Sequence, residues 1–304
     1  MGQIYCPDGT NQLMLSYARI PVIDHLKDSV YSVYFGSRDN TNRERIFRLA
    51  LDLDTLQVLN IENKPILDFG ENLGAFDDNG ITPCSIICLG NLKYFYYCGW
   101  NIHVKVPFSC AIGLAVSDDD GISFKKLFKG AIMDRNHLDH IFVAVNDVMF
   151  DNGIFKTWYL SCVKWEKSGD ALKHYYNIKY AESTDGIHWD RESYHEPVIN
   201  FKNSYEYAIS TPRVIKRDGM YKMWYSYRGQ SIIDTYRIGY AESIDGVTWV
   251  RRDEEMWHFD VSSNGWDSEM VCYPYIFVHK NKLHMLYNGN SYGKTGFGLA
   301  VLEE

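Results

Sequence analysis

Three features of the 304-residue sequence predict an all-β chain folded as a five-bladed β-propeller of four-stranded antiparallel blades. A unit of about sixty residues repeats five times. No stretch carries a helical period. The apolar runs are short, rich in Tyr, Trp, Ile and Val, and almost continuously hydrophobic. Strands covered on both faces by neighbouring blades need that pattern.

The unit is clearest between Glu206 and Arg251. Four β-rich runs fall there, at 208–216, 220–227, 237–243 and 247–251. Arg-Asp-Gly (217–219) separates the first two and Ile-Asp-Gly (244–246) the last two, and Asp-Gly supplies the positive φ of a tight hairpin turn. The third run recurs at 112–124, 178–189 and 238–249, with a truncated copy at 297–301 and a degenerate one at 46–54. The second recurs at 30–39, 94–100, 155–165, 221–229 and 283–290. Pro21, Pro83, Pro212 and Pro274 mark the first run, with Val145 in their place in the third copy. These markers lie 62, 62, 67 and 62 residues apart.

Taken in order, residues 1–15 precede the first blade, and a strand is expected around 12–16. The blades follow at 17–60, 78–127, 140–191, 206–251 and 269–304, as a single domain over 1–304. The last copy runs out at its third strand, so the N-terminal segment is left to complete the ring. Trp158, Met223 and Trp224 are expected in blade cores, and Asp185 and Asp245 are expected to shape turns.

A formal charge of −8 argues against nucleic acid or an anionic membrane as the main partner. No apolar run is long enough to span a bilayer, and MGQIYCPDGTNQ has neither a basic n-region nor an h-region. The expected location is therefore cytoplasmic. The seven cysteines form no C-x-x-C and read as reduced, mostly buried thiols. His137-x-x-His140 is half a metal site without a second half and reads as a loop pair. No cofactor is implied, although the central channel of such a ring leaves room for calcium.

Meander topology puts the start of each innermost strand and the end of each second strand on one rim, beside the long loops. Asp77 and Asp78 precede the blade-two marker, Glu206 the blade-four marker, and Asp267 and Glu269 the blade-five marker. Asp139 and His140 hold the matching place in blade three, and Tyr17 and Arg19 in blade one. The ends of the second strands add Arg38, Asp39, Trp100, Asn101, Trp165, Arg228, Asn288 and Asn290, and nearby loops add Trp266 and Tyr292. Acids, arginines, amides and exposed rings around a funnel suit a sugar, whose apolar faces stack on aromatics while polar groups hold its hydroxyls. Glycoside cleavage needs two carboxyl groups across the anomeric carbon. Asp78 is the expected base or nucleophile, and Glu206 or Glu269 the expected acid. Arg38, Asp39, Asp77, Trp100, Asn101, His140, Trp165, Arg228, Asp267, Asn288 and Tyr292 are the expected substrate-binding residues.

The repeated A-x-S-x-DG-x-x-W segments (181–189, 241–249), YKMWYSYR (221–228) and the proline-marked inner strands resemble the five-bladed propeller glycosidases. That superfamily holds glycoside hydrolase families 32, 43, 62, 68, 117 and 130, and the resemblance is nearest to uncharacterised glycosyl hydrolases of bacterial polysaccharide clusters. It implies a propeller with three acids at the inner-strand starts of blades one, two and three. Here blade one offers none, and the N-D-P-N-G and E-C-P boxes are absent. Three readings follow. The first is a glycosidase-like enzyme acting on a sugar or glycoconjugate by carboxylate acid/base chemistry. The second is a non-catalytic carbohydrate-binding propeller. The third is a glycosyl-transfer or phosphorolysis enzyme of polysaccharide biosynthesis, with Arg38 and Arg228 holding an anionic group.

Overall fold

Strand follows strand around a ring in the computed structural model, which describes residues 2–169, 171–229, 234–256 and 258–302. The sequence places a long rim loop at 228–236, and its residues 230–233 lie outside the described residues, as do positions 1, 170, 257, 303 and 304. A short strand, β1 (Gln3–Tyr5), opens the chain. Blade one holds β2 (Ser16–Lys27), β3 (Val30–Arg38), β4 (Glu44–Asp52) and β5 (Gln57–Ile61). Blade two holds β6 (Gly80–Leu89), β7 (Leu92–Ile102), β8 (Phe108–Ser117) and β9 (Lys125–Lys126). Blade three holds β10 (Phe142–Asp151), β11 (Ile154–Ser168) and β12 (Ala171–Ser183), edged by a single bridge from Glu182 to Asp190. Blade four holds β13 (Ala208–Arg217), β14 (Met220–Arg228), β15 (Arg237–Ser243) and β16 (Val250–Arg251). Blade five holds β17 (Cys272–His279), β18 (Lys282–Asn288) and β19 (Phe297–Leu302). The architecture is a five-bladed β-propeller.

Residues 11–14 form a turn rather than a strand, with the Met14 N–H donating to the Asn11 carbonyl at 2.9 Å. Ser16 already belongs to β2, opposite Arg38. The strand that closes the ring lies earlier: β1 pairs antiparallel with β19 and becomes the outer strand of blade five. Asn288 seals the same seam. Its amide donates to the carbonyls of Ala18 (2.6 Å) and Gly296 (2.9 Å) and accepts from the Ile20 N–H (2.8 Å).

Blades are tied to one another by a repeated device. Tyr34 donates to the Gly121 carbonyl (3.1 Å), Tyr96 to Gly186 (3.0 Å) and the Trp158 indole to Gly246 (2.8 Å). Each donor sits on the second strand of one blade, and each acceptor in a turn of the next. Those glycines have φ of +80°, +74° and +82°, and a Cβ at Gly121 would meet the Tyr34 hydroxyl at 2.2 Å. Both the backbone sign and the close approach require glycine there. Asp185 and Asp245 accept from the N–H groups of the two residues after the glycine, as turn-shaping aspartates do. Trp158, Met223 and Trp224 are buried in the blade cores.

The inner strands bulge at their markers. Register shifts fall at 83/85, 144/146, 210/213 and 272/275. Ile20, Val145, Thr211 and Tyr273 all have positive φ. A bulge re-aims a side chain, and proline fits one because no ladder N–H is needed there. Among the described residues no helix is long and apolar enough to cross a membrane.

Candidate active site

The bulged starts of the inner strands enclose a cavity of about 530 Å³ on the long-loop rim. The residue just before each marker lines it in all five blades: Ile20, Thr82, Ala144, Thr211 and Tyr273. Positive φ on a β-branched or aromatic residue is costly, and such strain is held where the surrounding structure over-determines it.

Three guanidinium groups stand in the wall, from Arg19, Arg38 and Arg228, and no aspartate or glutamate lines it among the described residues. Behind the wall lies Glu44, which has no exposed surface. It accepts from Arg19 (2.8 Å), Arg38 (3.1 Å) and the Thr82 hydroxyl (2.7 Å). Burial pushes the Glu44 carboxyl up, but the two guanidinium charges outweigh it and hold the group below its ordinary range. It is therefore a fixed anion that orients two arginines. Arg38 also stacks over Tyr17 (4.6 Å) and Trp100 (5.6 Å).

Arg228 is held differently. Its Nη1 donates to the Tyr292 hydroxyl (2.8 Å) and its Nη2 to His174 Nε2 (2.6 Å). The rings of Tyr207 and Tyr236 lie 4.8 and 4.9 Å from its guanidinium carbon. Its Nε is buried with no hydrogen-bond partner among the described residues. Burial, and then the Arg228 charge, push the His174 imidazole down to about 3. His174 is therefore neutral, with its Nε2 lone pair facing the arginine and its proton on Nδ1. It stacks on Tyr176, 4.7 Å away and 7° from parallel, and the Tyr176 and Tyr236 hydroxyls meet at 2.6 Å. With one carboxylate behind three arginines, the wall keeps an excess of positive charge in a partly desolvated space, where it acts strongly.

The structure brings Arg38, Trp100, Arg228 and Tyr292 of the expected residues to this cavity. The three expected catalytic acids are outside its wall and are not gathered across it. Asp78 accepts the Gly74 N–H at 2.7 Å, as a loop cap. Glu206 is buried in a two-pronged pair with Arg251 (2.8 and 3.0 Å) and also accepts the Lys202 N–H (2.7 Å). Glu269 is exposed, and its backbone N–H donates to Asn290. The physical reason is repeated as regularly as the acids. Asp77, Asp139 and Asp267 each accept from the tyrosine twenty positions on, at 3.5, 3.0 and 2.9 Å. Asp77 adds Lys126 (2.6 Å), and Asp139 adds Lys179 and Arg191 (both 3.0 Å). These carboxylates staple each rim loop to its own blade.

Most of the remaining expected residues also serve the scaffold. Asp39 accepts from Arg45 (2.7 Å) and Thr41 (2.6 Å). Burial raises the Asp39 carboxyl, but these bonds prevail and bring it to about 2. Asn101 donates weakly to the Ala75 carbonyl and faces His103, and His140 is exposed. Trp165 packs behind the wall against Phe108 (5.3 Å) and His174 (5.2 Å). Asn288 belongs to the seam. Among the described residues no group of three or more His, Cys, Asp or Glu converges as a metal site, and His137 pairs with Glu192 on the surface.

Sequence reasoning missed Glu44, Thr82, His174, Tyr176, Tyr236 and Tyr273, and treated Arg19 only as a strand start. One signal was present: the position before each marker. The others are brought in from strands and loops whose facing depends on the bulges.

A profile of β-1,4-mannooligosaccharide phosphorylases matches residues 162–288. The uncharacterized protein Rv1502 of Mycobacterium tuberculosis (strain ATCC 25618 / H37Rv) is 36% identical over 306 residues, covering 100% of this chain and 98% of its own. A 1,2-β-oligomannan phosphorylase of Thermoanaerobacter sp. (strain X514) is 33% identical over 119 residues, 39% of each chain. Among solved structures, one described under the GH130 family of mannoside phosphorylases, containing glycoside hydrolases that target β-1,2 mannosidic linkages in Candida mannan, superposes with a TM-score of 0.72. It is 13% identical and covers 99% of this chain and 91% of its own. With the fold, the repeat and these relatives in agreement, the chain belongs to the five-bladed β-propeller glycosidase superfamily, in one family with the full-length mycobacterial protein.

Proposed function

We propose that this chain acts on a mannose-type glycoside by glycosyl transfer to or from phosphate, with Arg38 and Arg228 holding the anion. One observation carries the reading: among the described residues the cavity wall presents three arginines and no carboxylate. Hydrolysis by the two-carboxylate route needs an acid and a base facing each other across the anomeric carbon. Hydrogen phosphate brings its own nucleophilic oxygen, and its proton passes to the leaving glycosidic oxygen as the new glycosyl–phosphate bond forms, so a site for it needs cations where a hydrolase needs a base. The mannoside part rests on kinship, since the matching profile and the Thermoanaerobacter relative are both named as mannan-type phosphorylases. Trp100, Phe108 and Tyr292 supply aromatic surface for the sugar.

A second reading, a binder of sugar phosphates without turnover, is favoured by the absence of a wall carboxylate among the described residues, since no side-chain acid then stands ready to protonate a leaving oxygen. Calorimetric titration with mannose, inorganic phosphate and mannose 1-phosphate, paired with NMR detection of phosphate release or glycoside formation, separates the two. Tight binding of the sugar phosphate with turnover is the expected outcome. Tight binding without turnover supports the second reading. Equal affinity for mannose and its phosphate would remove the anion site from both.

A further inference from the structure

The four inner strands β6, β10, β13 and β17 also line a smaller cavity of about 220 Å³, farther along their length. Ser85, Asp147, Arg213 and Tyr275 are its polar wall residues, set among apolar side chains. It lies toward the opposite end of the central channel, because each strand reaches it after the bulge that faces the large cavity. None of its residues belongs to the site described above.

Arg213 is only 2% exposed. Its Nη1 donates to the Asn146 carbonyl (3.3 Å) and to Asp147 Oδ1 (3.4 Å), and its guanidinium carbon sits 4.8 Å from the centroid of the Tyr275 ring. Its Nε and Nη2 are buried with no hydrogen-bond partner among the described residues. Those two atoms share one edge of the guanidinium and present two parallel N–H groups, the fork that matches two oxygens of a carboxylate or phosphate. Leaving such donors buried and unpaired is costly. Asp147 does not meet the need. Its Oδ2 takes the Val214 N–H (2.7 Å), and its Oδ1 takes the Ser85 hydroxyl (3.3 Å) and the long Nη1 contact. The unmet groups are all donors, so the complementary ligand is an acceptor with two adjacent oxygens.

We propose that this second cavity is a small-oxyanion site, gripped by the Nε–Nη2 edge of Arg213. Burial pushes the Asp147 carboxyl up, against the pull of the Arg213 charge beside it. A volume of about 220 Å³ admits phosphate, sulfate or a short carboxylate, but no oligosaccharide. An ion there would link four of the five inner strands at the hub of the ring.

Soaking wild-type crystals with selenate and collecting anomalous data at the selenium edge tests the site directly. The expected result is a peak within hydrogen-bond distance of Arg213 Nε and Nη2, and the same data report separately on the large cavity. A selenate-free second cavity at a concentration that fills the first would overturn the proposal. Thermal shift with phosphate, sulfate and acetate names the preferred class. An Arg228→Ala background lowers the large cavity's share of that signal. Arg213→Lys keeps the charge and removes the fork, and is expected to weaken the oxyanion shift at least tenfold in concentration. Should that variant not fold, Ile87→Trp fills part of the cavity from its wall while Arg213 itself is kept, and is expected to do the same. A shift unchanged in whichever variant folds would overturn the proposal.

Discussion

At the scale of single residues, the site turns on which charges are free and which are spent. Arg228 is paired with neutral groups, so its charge is available to a ligand. Arg228→Ala should weaken mannose 1-phosphate binding by about 1.5–3 kcal/mol, roughly ten- to a hundredfold in Kd, with little change for mannose. Titration calorimetry reads this directly. Glu206 is the opposite case, spent on Arg251. Glu206→Ala leaves the mostly buried Arg251 with Asp253 as its remaining carboxylate partner and should cost about 1–3 kcal/mol in urea unfolding, while the folded protein keeps whatever turnover the wild type shows. Loss of activity in Glu206→Gln at unchanged stability would instead make it catalytic. His174 sets a pH dependence. Its folded-state pKa is depressed to about 3, below its ordinary value near 6.5. Between those values the unfolded chain binds more protons. Stability is thus complete above about 6.5 and falls with pH toward 3, by at most about 1.4 kcal/mol per pH unit. Urea midpoints across that range should show a slope that shrinks in His174→Gln.

At the scale of elements, the inner strands do two jobs along one length, and their bulges separate them. Above the bulge each strand faces the large cavity, and beyond it β6, β10, β13 and β17 face the small one. The pairing of β3 with β4 does the supporting work. Gly36 on β3 leaves room for the Glu44 carboxylate on β4, since a Cβ there would lie 2.1 Å from Glu44 Oε1. Gly36→Ala should cost about 1–3 kcal/mol as overpacking. It should also weaken sugar-phosphate binding, because the anion that orients Arg19 and Arg38 is displaced. Unfolding curves and calorimetry on the same variant check both halves, and a stability loss with unchanged affinity would separate Glu44 from the site.

For the whole molecule, closure of the ring rests on a three-residue strand and one amide. Ile4 and Tyr5 pack with the core of blade one, and Tyr5 lies 5.1 Å from Phe35 and 6.1 Å from Phe297. Removing residues 2–8 should bare the edge of β19 and open the seam between blades five and one. The expected loss is about 3–5 kcal/mol, or roughly 5–10 °C in Tm by calorimetry. Unchanged melting would mean that Asn288 and the inner-strand contacts close the ring unaided.

Much of this protein was determined by its sequence alone: the five repeats, the propeller fold, the turn aspartates and the aromatic blade cores. Those features depend on local turn chemistry and on strand periodicity, which neighbouring residues carry. Arg38, Trp100, Arg228 and Tyr292 were also legible, because the end of each second strand must meet the rim. Only the tertiary structure decided what the acids do. An aspartate before an inner strand looks the same in sequence whether it faces a substrate or a tyrosine twenty positions on. Its partner is set by how the loop folds back on the blade. Only the bulges, which reverse φ at Ile20, Val145, Thr211 and Tyr273, decided which inner-strand side chains face the axis. A one-residue shift of register exchanges the two faces of a strand, and nothing local to the sequence reports it.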